Sequence, residues 1–218
     1  MEPDRPPTHH RRDVGRLVVT EFVTVDGVFE DPGGWVRNRD EDGDIAEDAV
    51  GLFREIESAP AQFKIDETLE AQAMLLGRGT YEQFFALWAD REGKFADKMN
   101  SMPKYVVSTS LENGEWENTM VIGGDDPTAE IAKLKEELDG TILVHASAKL
   151  VKLLLDENLV DELRLMVFPV VLGHGRRLFP DHTAKSPLEL VEVKTIGDKG
   201  VILQIYRLQA RPIGPLDW

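Results

Sequence analysis

The stretch that decides the fold is ILVHASAKLVKLLLDENLVDELRLMVFPVVLGHGRRLF, residues 142–179. It begins with a short apolar run that stops at His145 and passes through the small residues 146–148 into a run with apolar residues at helical spacing. A second apolar run, rich in Val and Leu, follows at residues 163–171. A strand, a helix and a strand in this order predict a sheet with parallel strands and helices packed on it.

The same alternation extends outward from this stretch. Further strands are predicted at residues 16–25, 104–108 and 119–122, and a helix is predicted to begin at Asp126-Pro127-Thr128. Thr80 is a candidate cap for another helix that follows the apolar run AMLL. Residues 188–196 and 201–208 predict a terminal hairpin around Gly-Asp-Lys-Gly. The sequence therefore predicts an α/β fold with a central, mostly parallel mixed sheet, helices on both faces and a C-terminal antiparallel hairpin.

Length and composition limit the possible organisation and partners. The 218 residues predict a flexible leader at 1–15, one domain at 16–208 and a C-terminal tail at 209–218. The net charge of −15 argues against a general affinity for nucleic acid. No apolar run is long enough to span a membrane, and the N-terminus lacks a signal peptide, so we expect a cytoplasmic protein. The absence of Cys and the scattered His residues predict no metal site.

Three strand ends carry groups that suit a phosphate. At residues 146–148 (Ala-Ser-Ala), small residues open a helix, whose N-terminus offers free N–H groups; taken alone, the pattern is also that of an ordinary N-cap serine with tight packing. At Gly77-Arg78-Gly79-Thr80, a guanidinium and a hydroxyl stand at a helix start, although a glycine turn with a surface arginine is as plausible. Ser108 and Ser110 follow a third strand, where they could also form a hydrophilic turn. Together these ends favour an extended cofactor that carries phosphates.

Two residues near the first strand are candidates for the substrate side of such a site. Asp26 could place a carboxylate at the lip of a pocket, although Asp-Gly is a common turn signal. Trp35, in the next loop, could form the wall for an aromatic ligand or could pin the loop to the core.

The pattern resembles the dihydrofolate reductase-like superfamily. It is most similar to the C-terminal reductase domain of bacterial riboflavin-biosynthesis deaminase-reductases and its stand-alone relatives. The segments that carry the resemblance are TVDGVFEDPGGW, LLGRGTYEQF, KYVVSTSLENGEWENTMVI and residues 143–179, in the family's order. The deaminase half, with its zinc-binding Cys and His motif, has no counterpart in this sequence.

The resemblance implies a three-layer fold, NADPH bound across the strand ends and a homodimer. Carried over residue by residue, it places Gly77, Arg78 and Thr80 at cofactor phosphates and Ser108 and Ser110 near the adenosine ribose and its 2′-phosphate. Ala146, Ser147 and Ala148 would approach the pyrophosphate, and the loop from Asp26 to Trp35 would cover the nicotinamide and the substrate. Family members usually carry Gly where Ala146 stands, and residues 40–72 do not align.

The predicted activity is hydride transfer from NADPH to a pteridine- or pyrimidine-like heterocycle, with Asp26 as a substrate-facing or proton-relaying carboxylate. Two alternatives remain open at this point. One is a non-catalytic nucleotide-binding protein on the same scaffold, and the other is a structural dimer module that binds no nucleotide.

Overall fold

A computed structural model of the protein describes residues 15–30, 32, 59–183 and 185–209, and the predicted leader, most of the predicted tail and Trp35 lie outside these ranges. The described strands form one eight-stranded sheet in the order β4-β3-β2-β5-β1-β6-β8-β7. The strands from β4 to β6 in this order are mutually parallel, and β8 and β7 complete the sheet with antiparallel pairings. The strands are β1 (Arg16–Thr24), β2 (Ala73–Gly77), β3 (Lys104–Val107), β4 (Thr119–Ile122), β5 (Thr141–Val144), β6 (Glu162–Phe168), β7 (Leu188–Ile196) and β8 (Val201–Leu208).

Helices cover both faces of this sheet. They are α1 (Ala59–Glu70), α2 (Arg78–Trp88), α3 (Lys94–Ser101), α4 (Pro127–Glu137) and α5 (Ala148–Asp156). The apolar sides of α4 and α5 pack with one face of β1 and β5 in the largest core cluster. The apolar residues of α2 and α3 pack with the other face, which includes Val18 and Leu143. The predicted fold class, a mostly parallel mixed sheet between two helical layers with a terminal hairpin, is confirmed.

Local chemistry explains several element boundaries. The Asp126 side chain accepts the backbone N–H of Ala129, so α4 begins with a capped first turn that contains Pro127. Strand β6 stops at Phe168, directly before Pro169, which has no N–H to give to a neighbouring strand. The predicted cap of α2 is wrong: the helix begins at Arg78 after Gly77, and Thr80 lies buried inside the first turn.

Parallel strands place all their carboxyl ends at one edge of the sheet. The end of β5 lies between the ends of β2 and β1, because β5 pairs with both strands. The end of β3 follows next to β2, and the end of β4 lies at the border. The residues that follow these strands therefore form one continuous row, which is the place where the sequence predicted a binding site.

Candidate functional site

The turn between β5 and α5 has an unusual backbone. Ala146 and Ser147 both have left-handed φ values, 50° and 67°. Ser147 occupies the N-cap position of α5, but its side chain makes no capping hydrogen bond. An ordinary serine cap therefore does not account for this residue, and the two left-handed residues leave the first N–H groups of the helix facing the carboxyl edge of the sheet.

The Ser147 turn touches the end of β2. A Cβ atom built on Gly77 would overlap the Ser147 hydroxyl and lie 3.1 Å from Ser147 Cβ. Only a residue without a side chain leaves room for Ser147 at this position. Two of the three strand ends predicted to bind phosphate are thus in direct contact, although Gly77 and Ser147 lie 70 residues apart in the chain (147 − 77).

Arg78 joins the end of β2 to the turn that follows β3. Its Nη1 donates to Ser110 Oγ over 2.6 Å, and its Nε donates to Glu82 Oε1 over 2.6 Å. The Ser108 hydroxyl accepts the backbone N–H groups of Ser110 and Leu111, at 3.2 and 3.0 Å, which fixes the turn after β3. The guanidinium is therefore held in place at the mouth of the site, with Nη2 making no hydrogen bond to a described residue.

A cavity of about 370 Å³ opens between these strand ends. Arg78 and Lys149 provide its positive charge, and hydroxyls line one side. The lining consists of Arg78, Val107, Ser108, Thr109, Ser110, Ile122, Gly123, Gly124, Pro127 and Lys149. Sequence reasoning found the arginine and the serines but missed Lys149 and the glycine pair after β4. A basic residue in the first turn of α5 and a Gly-Gly directly after a strand were the signals available.

Only three of the eight predicted cofactor residues, Arg78, Ser108 and Ser110, line this cavity. Gly77, Ala146 and Ser147 lie at the neighbouring contact between β2 and the turn after β5. Thr80 is buried, and its side chain does not line the cavity. Ala148 is partly buried and packs, like Ala146, against the core cluster beneath α5. Their predicted contacts with phosphates stay predictions, and Ala148 could offer only its backbone.

Asp26 has a well-defined role in the loops that follow β1 and β6. Its carboxylate accepts the Thr24 hydroxyl over 2.6 Å and the backbone N–H groups of Gly173 and Leu172 over 2.8 and 3.3 Å. These hydrogen bonds, led by that from Thr24, lower the pKa of Asp26 to about 2. Asp26 is therefore ionised at neutral pH and ties the turn after β1 to the glycine loop around His174.

A buried ion cluster lies beneath α1. Lys64 donates to the Thr20 hydroxyl and forms an ion pair with Glu67 over 3.0 Å. Thr20 in turn donates to Glu67 Oε1 over 2.6 Å. Arg164 bonds to the second oxygen of Glu67 over 3.2 Å and continues to Glu162 over 2.7 Å. Lys64 and Glu67 of this cluster lie within residues 40–72, whereas Thr20 lies on β1 and Glu162 and Arg164 lie on β6. No motif in the sequence predicts the cluster.

His145 and Glu21 complete the row of polar groups. The His145 ring centroid lies 5.8 Å from that of Phe84 on α2, and the imidazole is near enough to Glu67 on α1 for the carboxylate to influence its pKa. Burial, followed by the charge of Lys64, lowers the pKa of His145 to about 4, so the imidazole is neutral. Burial raises the pKa of Glu21 to about 8, so this carboxyl group is largely protonated.

Two absences hold for the part of the chain described. Among residues 15–30, 32, 59–183 and 185–209, no helix is long and apolar enough to cross a membrane. Within the same ranges, no three His, Asp or Glu side chains gather as they would around a metal ion.

Comparison with known proteins places this geometry in a family. The uncharacterized protein YyaP of Bacillus subtilis (strain 168) is 28% identical over 200 residues, which cover 88% of this chain and 94% of YyaP. A putative riboflavin biosynthesis protein from Shewanella sp. PV-4 superimposes with a TM-score of 0.60 at 16% identity, covering 89% of this chain and 99% of that one. Enterococcus faecalis dihydrofolate reductase, solved with NADP(H) and RAB-propyl, gives 0.55 at 15% identity, covering 89% and 97%. Residues 16–202 match the RibD C-terminal domain, and the chain belongs to that family.

Proposed function

We propose that the protein is an NADPH-dependent reductase that transfers a hydride to a pteridine- or pyrimidine-like heterocycle. The observation that carries the proposal is the convergence of Gly77, Arg78, Ser110 and Ser147 at one edge of the sheet. The family match and the reductase-like fold support the same reaction class. The homodimer that the resemblance implies stays a prediction, which light scattering during size-exclusion chromatography tests.

The chemistry of the cavity fits the phosphate-bearing half of a dinucleotide. Arg78 and Lys149 are the cations of the lining, and a planar guanidinium suits a phosphate monoester. Gly123 lets the turn after β4 approach the turn after β3 closely, since a Cβ on Gly123 would lie 2.8 Å from the Ser108 carbonyl oxygen. A 2′-phosphate would bind at Arg78, Ser108, Ser110 and Lys149, while the pyrophosphate would approach the N–H groups that open α5.

The reacting half would lie beyond the Ala146–Ser147 turn, toward β1. NADPH supplies the hydride when it is bound, because no side chain can do so. The protein's own contribution is to hold a flat acceptor in place and to exclude water. His145 and Phe84 offer adjacent aromatic rings there, and the buried ion cluster fixes α1 against β1 and β6.

The ionised state of Asp26 supports a second candidate function, that of a non-catalytic nucleotide-binding protein. A C=N or C=O acceptor needs a proton as well as a hydride. Asp26 is already ionised, so its carboxylate can orient a substrate or a water molecule but holds no proton of its own at neutral pH. A non-catalytic protein that binds the nucleotide would have the same cavity without an effective proton donor.

Titration with NADPH, followed by a panel of dihydropterins and aminouracils, tests the proposal. We expect NADPH to bind more tightly than NADH and at least one heterocycle to cause its oxidation. Tight binding with no oxidation across the panel would support the non-catalytic alternative. No binding of either dinucleotide would reject both functions.

A further inference from the structure

Glu21 is a buried carboxyl group without a complete set of partners. The residue is 6% exposed, and its Oε1 has no hydrogen-bond partner among the described residues. A buried polar atom in this state costs stability, and an apolar side chain of similar shape would avoid the cost. Its presence on β1 therefore calls for an explanation other than packing.

The neighbour of Glu21 is the turn at the end of β5. Strands β1 and β5 pair at Val19 and Val144, two residues before Glu21 and Ala146, so the Glu21 side chain lies beside the start of the turn. The backbone N–H of Ala146 interacts with the Glu21 carboxyl group and opposes the rise in its pKa that burial causes. Ala146 and the following Ser147 both have the left-handed φ values that non-glycine residues avoid, at a cost of roughly 1–2 kcal/mol per residue. Such strain persists only where surrounding contacts hold the backbone in place.

We infer that Glu21 is a positioning residue, whose carboxyl group holds the N–H of Ala146 so that the Ala146–Ser147 turn keeps the shape required to receive a dinucleotide. This inference rests on the proposed function for the identity of the ligand. Glu21 does not touch the cofactor; it acts through the backbone of Ala146. The contact between Ser147 and Gly77 holds the other side of the turn, so the two restraints together set its conformation.

Three variants separate this role from a merely structural one. Glu21→Leu removes the acceptor, while Glu21→Gln keeps an oxygen at the same place. Adding Ala146→Gly to Glu21→Leu removes the side-chain penalty of the left-handed conformation, because glycine adopts it freely. Thr119→Val is the matched control, since Thr119 Oγ1 is the other buried atom without a partner among the described residues and lies on β4, away from the turn.

The readouts are the dissociation constant for NADPH and the melting temperature. We expect Glu21→Leu to weaken NADPH binding about tenfold, the loss of roughly one hydrogen bond, with an unchanged or higher melting temperature. Glu21→Gln should stay near the wild type, and Ala146→Gly should restore most of the affinity lost in Glu21→Leu. The control should leave affinity unchanged. Undiminished affinity in Glu21→Leu, or a loss that Ala146→Gly does not reverse, would overturn the inference.

Amide hydrogen exchange in the free protein provides a readout that does not need the cofactor. The Ala146 amide should exchange faster in Glu21→Leu than in the wild type or in Thr119→Val. If the wild type binds no dinucleotide, the proposed function fails, while faster exchange would still support the restraint on the turn. Equal exchange rates in all variants would reject the restraint itself.

Discussion

Arg78 and Ser110 lie 32 residues apart in the sequence, and the guanidinium Nη1 donates to the Ser110 hydroxyl over 2.6 Å. This bond joins the residue that opens α2 to the turn that follows β3. It also orients the guanidinium toward the cavity that Lys149 borders from the start of α5. Residues from three separate strand ends thereby line one cavity that carries positive charge.

Replacement of Arg78 by Ala should weaken the binding of NADPH more than that of NADH. The affinity for NADPH should fall roughly 10-fold to 100-fold, because a charge-assisted hydrogen bond to a 2′-phosphate contributes ~1.5–3 kcal/mol. Fluorescence titration with both dinucleotides measures the difference. Arg91→Ala is the control, since Arg91 lies beyond the end of α2 with its guanidinium 5.3 Å from the Trp88 ring. Equal losses of affinity for the two dinucleotides would indicate that Arg78 binds the pyrophosphate instead. No loss of affinity would show that Arg78 does not bind the cofactor.

Replacement of Gly77 by Ala should destabilise the protein by about 1–3 kcal/mol, because the new methyl group meets the Ser147 side chain in a packed region. Chemical denaturation measures the change. Gly79→Ala is the matched control: no heavy atom lies within 4 Å of a Cβ there, and the residue is helical, so we expect a gain of about 0.5–1 kcal/mol. Similar effects of the two substitutions would contradict the close approach of Gly77 and Ser147.

Replacement of Asp26 by Asn should slow turnover more than it weakens NADPH binding. The amide keeps an oxygen for one backbone N–H but loses the negative charge, and one donor then lacks its acceptor. Steady-state kinetics, with kcat and the KM for NADPH determined separately, measure the effect. Unchanged turnover would end the proposed role of Asp26 on the substrate side.

The ionisation of Glu21 should make the protein less stable at alkaline pH. Its folded pKa, about 8, lies above the ordinary value of 4.5. The folded state therefore binds the proton more tightly, and stability is lost as the pH rises from the lower value through the upper one. Glu21→Gln has no proton to lose, so its advantage in unfolding free energy should grow between pH 5 and pH 8 by on the order of 3 kcal/mol. Parallel denaturant titrations of the wild type and Glu21→Gln at these two pH values measure this growth. A difference in unfolding free energy that stays constant would contradict the raised pKa.

His145 should cause a loss of stability in acid. Its folded pKa, about 4, lies below the ordinary value of 6.5, so the unfolded chain binds the proton first. Stability then falls as the pH drops from 6.5 toward 4. His145→Gln should remove up to about 3 kcal/mol of this loss. Melting temperatures across this range provide the measurement, and a variant as sensitive to acid as the wild type would show that His145 is not the cause.

Much of the fold follows from patterns within short segments. The terminal hairpin was predicted with its observed bounds because strand periodicity and a glycine-containing turn are both local signals. The start of α4 was predicted from a cap and a proline. The helix α3 was not predicted, since its buried residues Ala96 and Met99 are too few to give a clear pattern in a polar segment.

The site was predictable only in part for a related reason. Small residues, an arginine and serines after strands are visible in a single sequence, and the parallel sheet places them at one edge. The distance between Gly77 and Ser147 is not visible, because it depends on the pairing of β2 with β5. The environment of Asp26 was equally hidden, since two of its donors come from a loop about 146 residues away.

The sequence by itself determined the alternation of strands and helices, the shortage of positive charge and the residue types at the strand ends. Tertiary structure alone decided which ends meet, which carboxyl groups hold a proton and which backbone turn is held left-handed. The physical reason is that periodicity and turn chemistry act between near neighbours in the chain. Burial, pKa shifts and close contacts depend instead on atoms that folding brings together from distant segments.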